Sequence, residues 1–211
     1  MEDGDPVEAR PRTRIQRRNT EAILDAALEV FSAQGFRGAT LDEIAEVAGL
    51  SKPNLLYYFP SKEAIHLELL EGLLDTWLDP LRGLDPEGEP VEEILGYVRR
   101  KLQMSRDMPR ESRLFANEVL QGAPRIGDAL TGELRALVDE KAAVIADWSA
   151  RGRIAAADPR HLIFSIWALT QHYADFDVQV RAVLGEAHDP FPEAEAFLDT
   201  LYRRLLLPAP R

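Results

Sequence analysis

Between Thr40 and Phe59 the chain reads TLDEIAEVAGLSKPNLLYYF, a stretch that holds two helix starts and one helix stop. Thr40, with Glu43 three residues on, is a capping box, in which each side chain satisfies a backbone N–H of the other residue. Leu41, Ile44, Ala45 and Ala48 recur at helical spacing and make one apolar face. Gly49 ends that helix, and Ser51 is a natural N-cap for the next. Two short helices joined by a tight glycine turn form a helix-turn-helix. No Val/Ile/Thr-rich alternating run of the kind a sheet requires appears anywhere in the chain, so the fold class is read as all-α.

On the second short helix, Leu55 and Phe59 are four apart and face inward. Pro53 and Tyr57 then lie on the opposite face, flanked by Lys52, Asn54 and Leu56. A helix start that presents polar, cationic and aromatic groups outward is what a recognition helix offers to a major groove. Ser61 and Lys62 open the following helix, where free N–H groups and the lysine suit a phosphate. Arg10, Arg12 and Arg14 stand in a tail without apolar pattern and are free to reach a neighbouring groove. The bland alternative is a helical hairpin with a solvated face, with Tyr57 and Tyr58 partly in the core.

The net charge of −11 argues at first against nucleic acid. Its distribution weakens the objection. Residues 10–62 carry eight basic and six acidic side chains, whereas residues 67–211 carry 17 basic and 25 acidic ones. Phosphate affinity depends on local basic clusters rather than on the total. There is no cysteine, which excludes disulfides, thiolate nucleophiles and sulfur-ligated zinc. No apolar run reaches the ~18 residues a membrane span needs. The start of the chain, with Glu2, Asp3 and Asp5, carries no secretory pattern, and a cytoplasmic location is expected.

Helices are expected at 16–34, 40–48, 51–59, 61–82, 90–105, 110–121, 127–151, 158–182 and 192–206. The expected division is a flexible basic arm at 1–15, a helix-turn-helix domain at 16–62 and a ligand-binding and dimerisation domain at 63–211. In the third part, HLIFSIWALTQHYADF (161–176) is apolar nearly all round, so it must be covered on every face. Trp167, Gln171 and Asp175 form one row on it, each four residues from the last. A buried glutamine must hydrogen-bond to something. A flat aromatic beside a primary amide suits a small planar ligand with adjacent N–H and C=O groups. Trp77 is a second platform, and Phe115, Asn117 and Glu118 are placed to complete the lining. Core packing of both tryptophans is the alternative. Ala196, Phe197, Leu201 and Leu205 make a stripe for either a dimer interface or packing within the subunit.

FRGATLDEIAEVAGLSKPNLLYYFPSKEAI, Phe36 to Ile65, resembles the DNA-binding signature of tetracycline-repressor (TetR) family regulators. The resemblance implies a dimeric all-α protein, three N-terminal helices for an operator duplex and a larger helical domain for a small effector. It implies Thr40, Lys52, Asn54, Tyr57, Tyr58 and Lys62 as DNA contacts, mostly to phosphates, with Pro53 and Leu56 near base edges or thymine methyls. Leu56 departs from the aromatic or polar residue many members carry. SRLFANEVLQGAP, LTGELRALVDEKAAVIADW and DPRHLIFSIWALTQHYADF are similar to the members that regulate pyrimidine utilisation. That narrower likeness implies release from DNA by uracil or thymine, with Trp77 and Trp167 flanking the ring and Gln171 pairing with its edge. Asn117 replaces an expected apolar residue there.

An all-α enzyme acting on a small heterocycle is the competing class. His66, His161, His172 and His188 form no HExxH or other metal pair. His172 and Asp175, three apart, suit a base and its orienter, though an interface or capping role for His172 fits the same spacing. No Gly-rich phosphate loop or G-x-S-x-G elbow is present, so neither cofactor, metal nor catalytic residue is expected.

Overall fold

The computed structural model describes residues 14–207, which form two compact units, one ending at His66 and the other beginning at Leu67. Arg10 and Arg12 lie outside the described residues. The described elements are helical. In the first unit they are α1 (Arg14–Gly38), α2 (Leu41–Val47) and α3 (Lys52–Tyr58), and α4 (Lys62–Arg82) begins there. Arg14, read as part of the arm, is the first residue of α1.

Each boundary has a local cause. Gly35 leaves helical geometry at φ 71°, a conformation open to glycine at little cost, and this kinks the end of α1. Phe36 then packs on Phe31. The capping box of α2 forms as expected: Glu43 N–H donates to Thr40 Oγ1 at 3.2 Å, and Thr40 N–H donates to Glu43 Oε2 at 3.0 Å. Beyond α2, Leu50 N–H donates to Ala45 O and Gly49 N–H to Glu46 O, a Schellman stop with Gly49 at φ 67°. Ser51 caps α3 through Asn54 N–H. Ile23, Phe31, Ile44, Leu55, Phe59 and Ile65 are buried together in this unit.

The second unit continues with α5 (Pro90–Asp107), α6 (Pro109–Leu120), the short α7 (Gly127–Ala129), a π-helical turn (Leu130–Leu134), α8 (Arg135–Ala150), α9 (Pro159–Asp175), α10 (Asp177–Leu184) and α11 (Phe191–Leu206). α5 packs on both α9 and α11, and α9 also packs on α6 and α8. Ile94, Tyr97, Val98, Trp148, Ile163, Ile166, Leu198 and Tyr202 belong to this core.

Two expected helices are broken. The 127–151 helix is interrupted by the π turn around Gly132, where Thr131 Oγ1 bonds back to the carbonyls of Gly127 and Asp128. Such back-bonding and a glycine both weaken a regular helix. The 158–182 helix stops at Phe176, which leaves helical geometry (φ −115°, ψ 30°) and stacks on His172. Nor is α9 covered on every side, since Phe164, Ala168 and His172 are exposed. No helix among the described residues is long and apolar enough to cross a membrane.

Candidate functional site

On α3, Leu55 is fully buried, so the residues turned away from it point outward. Lys52, Pro53, Asn54, Leu56 and Tyr57 are all exposed. Tyr57 is 71% exposed, which rules out the reading of its ring as core. Tyr58 is half-buried. Its hydroxyl accepts a 2.8 Å hydrogen bond from Asn19 Nδ2 of α1, and its ring meets Tyr57 edge-on at 5.1 Å. Lys52 pairs with Asp42 at 2.9 Å, but both are exposed, so the pair is weak and the ammonium can exchange it for a phosphate. Arg17, Arg18 and Arg37, not singled out above, are exposed in the same unit.

Thr40 and Lys62 are engaged inside the unit as well. Thr40 is exposed, yet its hydroxyl serves the capping box. That box also holds the Glu43 carboxyl below its usual range, chiefly through the Thr40 hydroxyl. Lys62 was expected to grip a phosphate. Its Nζ instead donates to Phe36 O and Ala39 O, both at 2.7 Å, and stands 4.6 Å from the Phe36 ring centroid. An ammonium that satisfies two carbonyls of the α1–α2 turn is a clamp for that turn.

In the second unit, Leu74, Trp77, Leu78, Lys101, Phe115, Leu134, Trp167 and Gln171 line a half-open cavity of about 60 Å³. Trp77, Phe115, Trp167 and Gln171 were expected there; the three leucines and Lys101 were not. Trp77 stacks on Phe115 with ring centroids 5.6 Å apart. The Gln171 amide is half-buried and hydrogen-bonds to no described residue. Leu134, at the end of the π turn, and Trp167 also line an outer groove of about 410 Å³ with Phe164 and Arg160. They are therefore the partition between the cavity and the groove.

Three expected lining residues stand elsewhere. Asn117 is on the exposed flank of α6 and not in the cavity wall. Glu118 is buried but held by Arg125, through its backbone N–H at 2.7 Å and its guanidinium at 2.9 Å. Asp175 is not part of the cavity wall and accepts a hydrogen bond from Ser112 Oγ. Burial raises its carboxyl above the usual range. His172 is exposed, with no enclosed base–orienter geometry beside Asp175. Among the described residues no three acidic or histidine side chains are grouped to hold a metal ion.

Lys101 carried a signal that spacing alone can show. Ile94, Val98, Leu102 and Ser105 make the buried stripe of α5, and position 101 falls within it. A lysine at a core position is rare unless something pairs with it.

Comparison with known proteins places both units. Residues 23–69 match the family described as bacterial regulatory proteins, tetR family, and residues 70–209 match the YcdC-like protein, C-terminal region. The HTH-type transcriptional regulator RutR of Escherichia coli (strain K12) is 55% identical over 174 residues, covering 82% of each chain. The protein of the same name from Shigella flexneri is also 55% identical over 174 residues. Among solved structures, a bacterial regulatory protein in the tetR family from Rhodococcus RHA1 has the same fold. Its TM-score is 0.73 at 19% identity, over 91% of this chain and 98% of that one.

Proposed function

The chain belongs to the tetR family of bacterial regulatory proteins and is a transcriptional regulator rather than an enzyme; from that premise we propose that it is a repressor that binds a palindromic operator as a homodimer and is released by uracil or a related pyrimidine. The observation that carries the pyrimidine reading is Gln171. A primary amide with neither of its polar groups bonded lines an apolar cavity beside two tryptophans. A planar ring whose edge carries N–H and C=O groups answers both features, whereas an apolar effector leaves the amide unpaired at a cost of about 1–3 kcal/mol.

Cavity size suggests how occupancy changes the protein. A cavity of roughly 150 Å³ holds benzene, and this one is about 60 Å³. A six-membered ring fills the site fully only when lining side chains such as the Trp77–Phe115 stack or the Leu134–Trp167 partition move outward. A ligand that fits one conformation better than another shifts the population between them. Moving it from about 1:99 to 99:1 takes about 5.5 kcal/mol of differential binding.

Dimerisation is supported by the outward stripe of α11. Phe197 is 59% exposed, Leu201 36% and Leu205 46%, so these residues are not packed within the chain, while Ala194, Leu198, Tyr202 and Leu206 are buried on the opposite side. Phe164 of α9 is exposed as well, and Ser165 of α9 bonds Tyr202 of α11 at 3.0 Å. Adjacent helices with exposed apolar faces suit a two-fold interface. The two recognition helices of a dimer would then enter successive major grooves about 34–36 Å apart.

The experiment is a mobility-shift titration on a duplex selected from a random pool by the purified protein. Uracil releasing the bound duplex is the expected result. Retention of the complex at saturating uracil removes the pyrimidine, and failure to select any palindromic duplex removes the repressor.

A further inference from the structure

Lys101 is 2% exposed, on the buried stripe of α5, and its side chain forms part of the cavity wall. Its ammonium hydrogen-bonds to no described residue. Its Nζ stands 5.7 Å from the centroid of the Trp77 ring, at the outer edge of a cation–π contact. Charged groups act on it from the packed elements. Asp175 of α9 attracts it through space, and Arg113 of α6 and His172 of α9 act on that carboxylate in turn. Asp175 accepts a hydrogen bond from Ser112 and makes no hydrogen bond or close ion pair with Lys101. An amine with three donors and little solvent around it gains from any acceptor that enters the cavity. A lysine kept in an apolar wall without a protein partner is a group waiting for a ligand acceptor.

We infer that Lys101 is an effector-binding residue that donates to a carbonyl oxygen of the planar ligand, in addition to the edge recognised by Gln171. This rests on the reading of the cavity as the effector site and deepens it. The site then takes an uncharged cyclic imide, whose two carbonyl oxygens give an acceptor to each of the two residues. A hydrocarbon ring of the same size lacks the acceptors.

Binding then depends on protons in a definite sense. Burial brings the Lys101 ammonium down from the usual lysine range to about 7 in the empty cavity. A carbonyl acceptor stabilises the charged form, so the complex holds the proton more tightly than the empty protein does. Ligand affinity is therefore greatest below about pH 7 and falls as pH rises above it, by up to about tenfold per unit.

The test is calorimetric titration of the intact protein with uracil between about pH 6 and pH 8.5, below the ionisation of the imide, for the wild type and Lys101→Met. We expect the wild type to lose affinity above about pH 7, and the variant to bind at least about tenfold more weakly at about pH 6 with little dependence on pH. Equal affinity and equal pH profiles for the two proteins overturn the inference while leaving the pyrimidine reading intact. A wild type that binds its operator yet takes up no uracil overturns the pyrimidine reading itself. Should Lys101→Met not fold, the wild-type profile decides, and a flat one overturns the role of Lys101.

Discussion

The indole Nε1 of Trp167 donates a 2.6 Å hydrogen bond to the phenol oxygen of Tyr97. Trp167 thus has its polar edge satisfied by the protein and meets the cavity as a flat apolar surface. Tyr97 is buried, and burial holds its phenol well above the usual range, so it stays neutral as the acceptor. The orientation of one tryptophan is set by a residue 70 positions away in the sequence.

Tyr97→Phe removes that acceptor while keeping the ring. The indole N–H then lacks a buried partner, and unfolding in denaturant is expected to show a loss of about 1–3 kcal/mol. Uracil affinity measured by calorimetry falls as well, because Trp167 is no longer held in one orientation.

Gln171→Leu keeps the volume of the wall and removes its amide. The unfolding midpoint is expected to stay the same or rise, because an unpaired polar group is gone. Operator binding persists, and uracil no longer releases the duplex at concentrations that release the wild type. A mobility-shift titration reads this directly.

Tyr57 and Lys62 are expected to separate DNA binding from folding. Tyr57 is exposed, so Tyr57→Ala changes stability by less than about 0.5 kcal/mol. Its operator affinity is expected to fall by about 1–3 kcal/mol, the loss of a phenol hydrogen bond to a phosphate. Lys62→Met leaves the Phe36 and Ala39 carbonyls without their donor and destabilises the first unit by about 1–3 kcal/mol. Thermal unfolding alongside fluorescence anisotropy on labelled duplex distinguishes the two outcomes.

Leu201→Glu places a charge in the outward stripe of α11. Sedimentation velocity is expected to show dimers for the wild type and monomers for the variant. Operator affinity should drop with dimerisation, because one half-site alone holds the protein weakly.

The pH dependence of stability follows from Lys101. The amine titrates at about 7 when folded and near 10.5 when exposed, so its folded pKa is depressed. Below about 7 both states are protonated and the full cost of burying the charge is present. Between those values the unfolded chain binds more protons, and stability rises with pH. Lys101→Met is expected to be more stable than the wild type near neutrality. Its advantage narrows by on the order of 1–3 kcal/mol as pH approaches about 9.5, measured by denaturant curves.

Much of the first unit was legible in advance because its determinants are local. The capping box, the glycine stop and the Ser51 cap each act within five residues, and Leu55 and Phe59 face inward as their spacing implies. Trp167 and Gln171 share the cavity because they are one helical turn apart on one element. Elsewhere a helical period identified an apolar face without saying what it would meet. Asn117 turned outward, Glu118 went to Arg125, and Asp175 went to Ser112. On α11 two interleaved stripes both read as apolar, and packing on α5 buried the one through Leu198 and Tyr202.

Sequence alone thus determined where α2 and α3 begin and end, which side of α3 is free, and that an aromatic and an amide lie side by side on α9. Interactions over one turn or one cap decide those features, and they hold whatever surrounds them. Tertiary structure alone decided that Lys62 clamps a turn, that Lys101 lines the cavity without a hydrogen bond to any described residue, and that Tyr97 orients Trp167. Each of these is a meeting of groups distant along the chain, and the packing of one helix on another selects them.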